Sequence, residues 1–243
     1  MNFHRFYCEV INRPVAELSG AEARHLAQVL RLKAGDKVEL FDGRGTAAVA
    51  TIKNLSGKKV TLQVEDVKVF EKPAQQIILA VSVAKGERFD WLIEKCTELG
   101  VNRIIPVLFE RTVKQPKNPK IVERWSNIAI AAAKQCRRVF LPQIYKVVTL
   151  TEAIEILKKD YPQAQLLFGS LSENSKPVLQ CSFTGKDMIA FVGPEGGLTD
   201  EEENLLRQNG AKEVRLADTV LRVETAAVAF ASVLTMQRDA QSL

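Results

Sequence analysis

Histidine and cysteine are scarce in this chain of 243 residues, with two of the first and four of the second. Cys8, Cys96, Cys136 and Cys181 stand far apart, and no C-x-x-C pair occurs. That spacing argues against a zinc ribbon and a disulfide framework and leaves reduced thiols as the expectation. With only His4 and His25 to draw on, neither a histidine metal site nor a histidine triad is expected, and no metal is assigned. No apolar run approaches the roughly 18 residues that span a bilayer, so no membrane partner is expected. The opening Met1-Asn2-Phe3-His4-Arg5 lacks the charged-then-apolar order of a secretory signal, and the cytoplasm is the expected location. What the chain does have is a globular apolar content of 46%, enough for one large or two modest domains.

Charge is mild in total and uneven in place. The net charge is +5, yet residues 103–146 hold ten Lys or Arg against only Glu110 and Glu123, which leaves the remainder net acidic. A concentrated basic segment is the footprint of a phosphate-backbone partner, although a solvated helix face would read the same way.

The first 70 residues read as a small β-barrel. Strands are expected over 3–10, 37–41, 46–53 and 59–69, with Asp42-Gly43-Arg44-Gly45 as a hairpin turn. Ser19 with Glu22 reads as a capping box for a short helix ending near Arg31. Residues 71–76 are polar and contain Pro73, which makes them the expected linker. From 77 to 243 strands alternate with helices, the pattern of an α/β domain with a mostly parallel sheet. Its strands are expected over 77–84, 103–108, 143–147, 164–168, 188–192 and 213–216, and its helices over 87–99, 119–138, 151–158 and 224–238. Gly100 should close the first of these helices. A basic loop over 111–120 follows the second strand.

Two late segments carry the most chemistry. Gly193-Pro194-Glu195-Gly196-Gly197-Leu198-Thr199 follows an apolar strand and precedes a helix for which Thr199 and Glu202 form a capping box. Leu216-Ala217-Asp218-Thr219-Val220-Leu221-Arg222-Val223-Glu224-Thr225-Ala226 repeats the strand–loop–helix order. Glycines leave bare backbone where a ligand can approach closely, and two such loops point to one site at the carboxyl ends of neighbouring strands. The Walker pattern is excluded because Leu198, not Lys, follows the last glycine, and G-x-G-x-x-G is absent.

The first segment resembles the G-P-E-G-G-hydrophobic-S/T element of the knotted, SPOUT-type RNA methyltransferases. Leu221 to Ala226 resembles the L-R-T-E-T-A element of one branch, the ribosomal RNA small subunit methyltransferase E family. Weaker matches are His4-Arg5-Phe6, His25-Leu26 with Val29-Leu30-Arg31, Lys95 with Glu98-Leu99-Gly100-Val101, and Gln135-Cys136 with Arg138 and Pro142. The chain departs from the family at Ala217, where Gly is usual, and at Lys134, where Glu is usual.

The resemblance implies a PUA-like RNA-binding module over 1–70 and a SPOUT-type domain with a C-terminal trefoil knot over 77–243. It implies S-adenosyl-L-methionine as cofactor and N3 of a uridine in 16S rRNA, within the small ribosomal subunit, as acceptor. Cofactor-binding positions carried over are Leu167, Gly169, Gly193, Glu195, Gly196, Gly197, Leu198, Leu216, Leu221 and Thr225, with Leu198 and Leu221 flanking the adenine. N3 must lose a proton, so a cation should steady the resulting anion and a carboxylate should take the proton. Arg222 and Glu224 are the candidates. Glu195 is an alternative base, and Arg222 and Glu224 can equally be an ion-pair partner and a helix cap at the helix start. Arg5, Arg31, Arg137 and Arg138 are the expected RNA contacts, although Arg5 beside Phe6 and Tyr7 can also be a barrel residue. The helix over 224–238 is apolar around much of its circumference, which suits a core or a homodimer partner. Two alternatives stay open: ribose 2′-O-methylation of rRNA or tRNA, and an RNA-binding assembly factor without catalysis.

Overall fold

Period-two burial governs the first unit of the chain and continuous burial the second. The computed structural model describes residues 3–113, 118–172, 175–181 and 186–241. One unit comprises Met1–Lys72 with Ala133–Leu141, and the other Pro73–Ala132 with Pro142–Leu243. The expectation of consecutive domains is thus corrected by Ala133–Leu141, a stretch far along the chain that belongs to the first unit.

The first unit holds β1 (His4–Tyr7), β2 (Val15–Ser19), α1 (Gly20–Arg24), a π-helical turn (His25–Val29), β3 (Lys37–Phe41), β4 (Thr46–Ser56) and β5 (Lys59–Val69). The sheet runs β1-β3-β4-β5-β2, with β1 parallel to β3 and the other pairs antiparallel. Alternate residues point inward, so Phe6, Leu18, Val38, Leu40, Ile52, Val60 and Leu62 share one core with Leu26. Register shifts at Val49/Ala50 and Ile52/Asn54 mark bulges, which raise local twist. The expected Asp-Gly turn forms, with Asp42 Oδ1 accepting from the Arg44 and Thr46 amides at 2.8 and 2.9 Å. Its glycines have a second cause. A Cβ on Gly45 would lie 2.6 Å from the Phe140 ring and one on Gly43 2.5 Å from Leu141, so both admit the segment Ala133–Leu141.

Two local expectations are corrected. β2 was missed, and Ser19 makes no side-chain cap. Glu22, expected to complete that cap, instead accepts from Lys134 Nζ at 2.9 and 3.0 Å and from the Tyr7 amide at 3.1 Å. A full positive charge outcompetes a backbone amide for the carboxylate.

The second unit opens with β6 (Ile77–Ser82), α2 (Glu87–Leu99), β7 (Arg103–Leu108) and α3 (Ile121–Cys136), the last turn of which passes into the first unit. It continues with β8 (Gln143–Ile144), β9 (Val148–Thr149), α4 (Leu150–Asp160), β10 (Gln165–Gly169), β11 (Lys176–Pro177), a 3-10 turn (Val178–Gln180), β12 (Met188–Val192), α5 (Asp200–Gln208), β13 (Lys212–Arg215) and α6 (Val223–Ala240). The sheet order is β11-β13-β10-β12-β6-β7-β8, with β9 on β7, and every pairing is parallel. This is the expected α/β architecture. β6 and β12 are buried at every residue, as central parallel strands covered on both faces must be. α6 packs against α2, β6 and β12, and α4 against β7. Gly100 closes α2 at φ 103, in the left-handed region. The strand expected over 143–147 shrinks to β8 at its start, β9 lies beyond its expected end, and β11 was missed. Of the basic loop over 111–120, residues 114–117, including Lys114 and Lys117, lie outside the described residues. No described helix is long and apolar enough to cross a membrane.

Candidate active site

Three adjacent parallel strands, β13, β10 and β12, end at Arg215, Gly169 and Val192, and the loops that follow them surround one cleft of about 230 Å³. This is where open parallel sheets place ligands, because loops leaving neighbouring strands in different directions open a crevice there. Phe230 of α6, Val192, Leu198 and Leu221 give the cleft apolar walls, and Ser170, Glu195, Glu203 and Thr219 add polar groups.

The first loop is held by its own chemistry. The Gly197 amide donates to the Pro194 carbonyl at 2.9 Å, and Gly197 sits at φ 75, which a side-chain-bearing residue adopts only with strain. Leu198 folds back so that a Cβ on Gly193 would lie 2.8 Å from its Cδ2. Thr199 and Glu202 form the expected capping box on α5, and Glu202 Oε1 also accepts from the Glu110 amide at 2.8 Å. Arg111 donates from Nη1 to the carbonyls of Gly196 and Leu198 at 2.9 and 3.3 Å, so one guanidinium ties down the loop from outside.

The loop before α6 is less committed. Among the described residues, the amides of residues 217–221 make no backbone hydrogen bond. Main-chain donors beside an apolar wall, where Leu198 folds over Gly193, can accept a flat, polar-edged ligand such as an adenosine. Glu213 lies on β13, the strand that leads into this loop. Burial pushes its carboxyl up, but the Ser170 and Ser172 hydroxyls and the Arg207 guanidinium outweigh burial and hold it below the ordinary carboxylate value.

Residues 71–235 match the RNA methyltransferase domain family, and residues 18–65 match the RNA methyltransferase PUA domain family. A curated ribosomal RNA small subunit methyltransferase E from Synechocystis is 33% identical over 90% of this chain and 72% of its own length. The chain belongs to that family. A putative methyltransferase from Legionella pneumophila, solved in complex with the bound cofactor SAM, superposes with a TM-score of 0.88 at 30% identity over 98% of each chain. A ribosomal RNA small subunit methyltransferase E from Neisseria gonorrhoeae, bound to S-adenosyl methionine, gives 0.87 at 28% identity over 97% of this chain and 98% of that one.

Of the cofactor positions carried over from the family, Gly169, Gly193, Glu195, Gly197, Leu198, Leu216 and Leu221 line the cleft. Leu167 does not: it is fully buried in the middle of β10, where its side chain fills the core. A Cβ on Gly196 would face Arg111, and Thr225 is exposed on the first turn of α6. Ala217, which stands where glycine was expected, lines the cleft.

Arg222 is the N-cap of α6 and is exposed; its carbonyl accepts from the Ala226 amide at 2.9 Å, while its guanidinium makes no hydrogen bond or ion pair among the described residues. Glu224, in the first helical turn, is only 8% exposed, and its nearest cation is Arg88, with Nε 3.8 Å from Oε1. Arg88 and Arg111 are the residues that sequence reasoning missed. Arg88 carried no local signal, and Arg111 was counted only as part of the basic segment.

The four arginines assigned to RNA divide. Arg31, at φ 53 after the π-helical turn, is exposed, and so is Arg137 at φ 62, although Arg137 Nη2 pairs with Glu39 at 3.2 Å. Arg138 is half-buried. Arg5 is corrected: its side chain is 3% exposed, stacked 4.3 Å over the Phe41 ring, 3.4 Å from Glu39, and donating to the Ala133 carbonyl at 3.2 Å. It holds the segment Ala133–Leu141 within its unit and does not present a charge at an open surface. Lys134 is likewise committed, to Glu22.

Proposed function

We propose that this protein transfers a methyl group from S-adenosyl-L-methionine to N3 of a uridine in 16S rRNA of the small ribosomal subunit, as a homodimer whose C-terminal domain carries the SPOUT-type knot. The observation that carries the reading is the cleft itself. Its two motif loops, with Gly193, Gly197, Leu198 and the backbone amides of residues 217–221, form walls suited to an adenosine at the carboxyl ends of parallel strands. The cofactor supplies an electrophilic methyl on sulfonium, so the protein's task is alignment and proton removal.

Residues Gly169, Gly193, Gly197, Leu198, Leu216 and Leu221 would hold the cofactor. The uracil imide must be deprotonated before N3 can act as a nucleophile, and the charge then spreads onto its carbonyl oxygens. Arg222 is exposed and uncommitted at the mouth of the second loop, which suits it to meet that charge. Glu195, exposed on the first loop, is better placed than the nearly buried Glu224 to take the proton directly or through water. Proton transfer leaves the carboxyl neutral and moves its negative charge onto the uracil, where Arg222 can offset it.

The assay is direct. Protein, S-adenosyl-L-methionine and either purified 16S rRNA or unmodified small subunits are incubated, and the digested nucleosides are separated by mass spectrometry. 3-Methyluridine is expected. A ribose-methylated nucleoside would select the 2′-O reading, and binding without product would select an assembly factor.

The dimer has its own support. α6 buries Ala227, Phe230, Ala231 and Leu234, yet leaves Ala229 and Val233 half-buried and Met236 70% exposed along the opposite face. Sedimentation equilibrium should give twice the 27.0 kDa chain mass. A monomer that still methylates rRNA would overturn the homodimer as the active form.

A further inference from the structure

Among the described residues, Arg88 at the start of α2 is the one side chain that forms ion pairs with both motif segments. Its Nη1 lies 3.9 Å from Glu195 Oε1 and its Nε 3.8 Å from Glu224 Oε1. Both distances exceed the roughly 2.7–3.2 Å of an N–H···O hydrogen bond, so these are ionic contacts without directional bonding. Glu224 is 8% exposed, and its Oε2 has no hydrogen-bond partner among the described residues. Glu195 lines the cleft. One carboxylate that lines the cleft, Glu195, and one in the first turn of α6, Glu224, thus share a single, loosely held cation.

We propose that Arg88 is a positioning residue that sets the cleft's preference between the cationic methyl donor and its demethylated product. The inference rests on the cofactor reading above. When the methyl leaves, the carbon–sulfur bond breaks and its electron pair stays on sulfur, so S-adenosylhomocysteine has one positive charge fewer than S-adenosyl-L-methionine. The two ligands otherwise share their adenosine and amino-acid parts. With Glu195 in the cleft wall and Glu224 behind it both uncompensated, the field at the cleft would favour the donor. Arg88 offsets that field and narrows the difference.

The test is calorimetry on the full-length protein with both ligands, for the wild type, Arg88→Ala and Arg88→Lys, at low and high salt. Arg88→Ala should raise the ratio of product to donor dissociation constants roughly fivefold at low salt, with the effect shrinking as salt screens the carboxylates. Arg88→Lys should restore the wild-type ratio, because charge and not fork geometry is at work. Arg88 is half exposed, and melting temperatures of the variants check that they fold. Equal weakening of both ligands in Arg88→Ala, or an unchanged ratio, would overturn the inference while leaving the cofactor reading intact. A wild type that binds neither ligand would overturn both.

Discussion

In the first unit Arg5 and Arg137 converge on one carboxylate, Glu39, and Lys134 is held by Glu22, whereas beside the cleft of the second unit the Arg222 guanidinium has no partner among the described residues. The same residue type thus serves two ends. Where a guanidinium is boxed in by a ring, a carboxylate and a carbonyl, its charge holds chain segments together. Where it caps a helix beside a cleft, its charge remains available to a ligand. Counting basic residues along the sequence cannot separate the two, because the separation depends on which acid the fold brings within about 4 Å.

The strongest way to break this comparison is at the cleft. Gly197→Val should lower S-adenosyl-L-methionine affinity by about two orders of magnitude or more, because a β-branched residue at φ 75 forces the loop to another backbone conformation. The fold should persist, since Gly197 is exposed and its added Cβ would meet only Arg111 Nη1, at 4.0 Å. Calorimetry with a parallel thermal melt reads both. Tight binding by a well-folded variant would remove this loop from the cofactor site.

The second test is in the first unit. Arg5→Ala should destabilise the protein by about 3 kcal/mol, since it leaves Glu39 short of a partner and empties the space over Phe41. Burial lowers the Arg5 pKa, with Glu39 opposing, yet the group stays charged at any working pH. Urea denaturation measures the destabilisation. A change below about 0.5 kcal/mol would mean that the buried guanidinium is dispensable for folding.

How much of this was legible in the sequence follows from the range of the forces involved. Local signals were read well. Gly100 ends α2, Thr199 with Glu202 starts α5, and the Asp42 turn joins β3 to β4, because each depends on residues within a few positions of one another. The parallel sheet was legible too, since strands buried on both faces, such as β6 and β12, lose polar alternation. Long-range competition was not legible. Ser19 and Glu22 satisfy a capping pattern, but Lys134, 112 positions later than Glu22, takes the carboxylate. The glycines at 43 and 45 read as a turn, although Leu141 and Phe140 are what forbid a side chain there. At the cleft the motifs identified the loops, while the groups that restrain them, Arg111 and Arg88, come from elements whose sequence says nothing of their destination.

The smallest effect sharpens the comparison most, because it asks whether a partly committed arginine still serves RNA. Arg31 has no ion pair among the described residues, while Arg137 shares its charge with Glu39. Removing one cation from a phosphate should flatten the slope of log affinity against log salt by up to about 0.9. Arg31→Ala should therefore weaken rRNA binding severalfold and flatten the slope by most of that amount. Arg137→Ala should have a smaller effect, since its guanidinium must be drawn away from Glu39 before it can meet a phosphate. Adding Glu39→Gln to the wild type should move in the other direction and steepen the slope by freeing that cation. Fluorescence titrations of rRNA at several salt concentrations distinguish these outcomes. Equal weakening by Arg31→Ala and Arg137→Ala would show that the Glu39 pair gives way to phosphate without cost. Undiminished affinity in the combined Arg137→Ala and Arg138→Ala variant would place the RNA path away from residues 137 and 138 altogether.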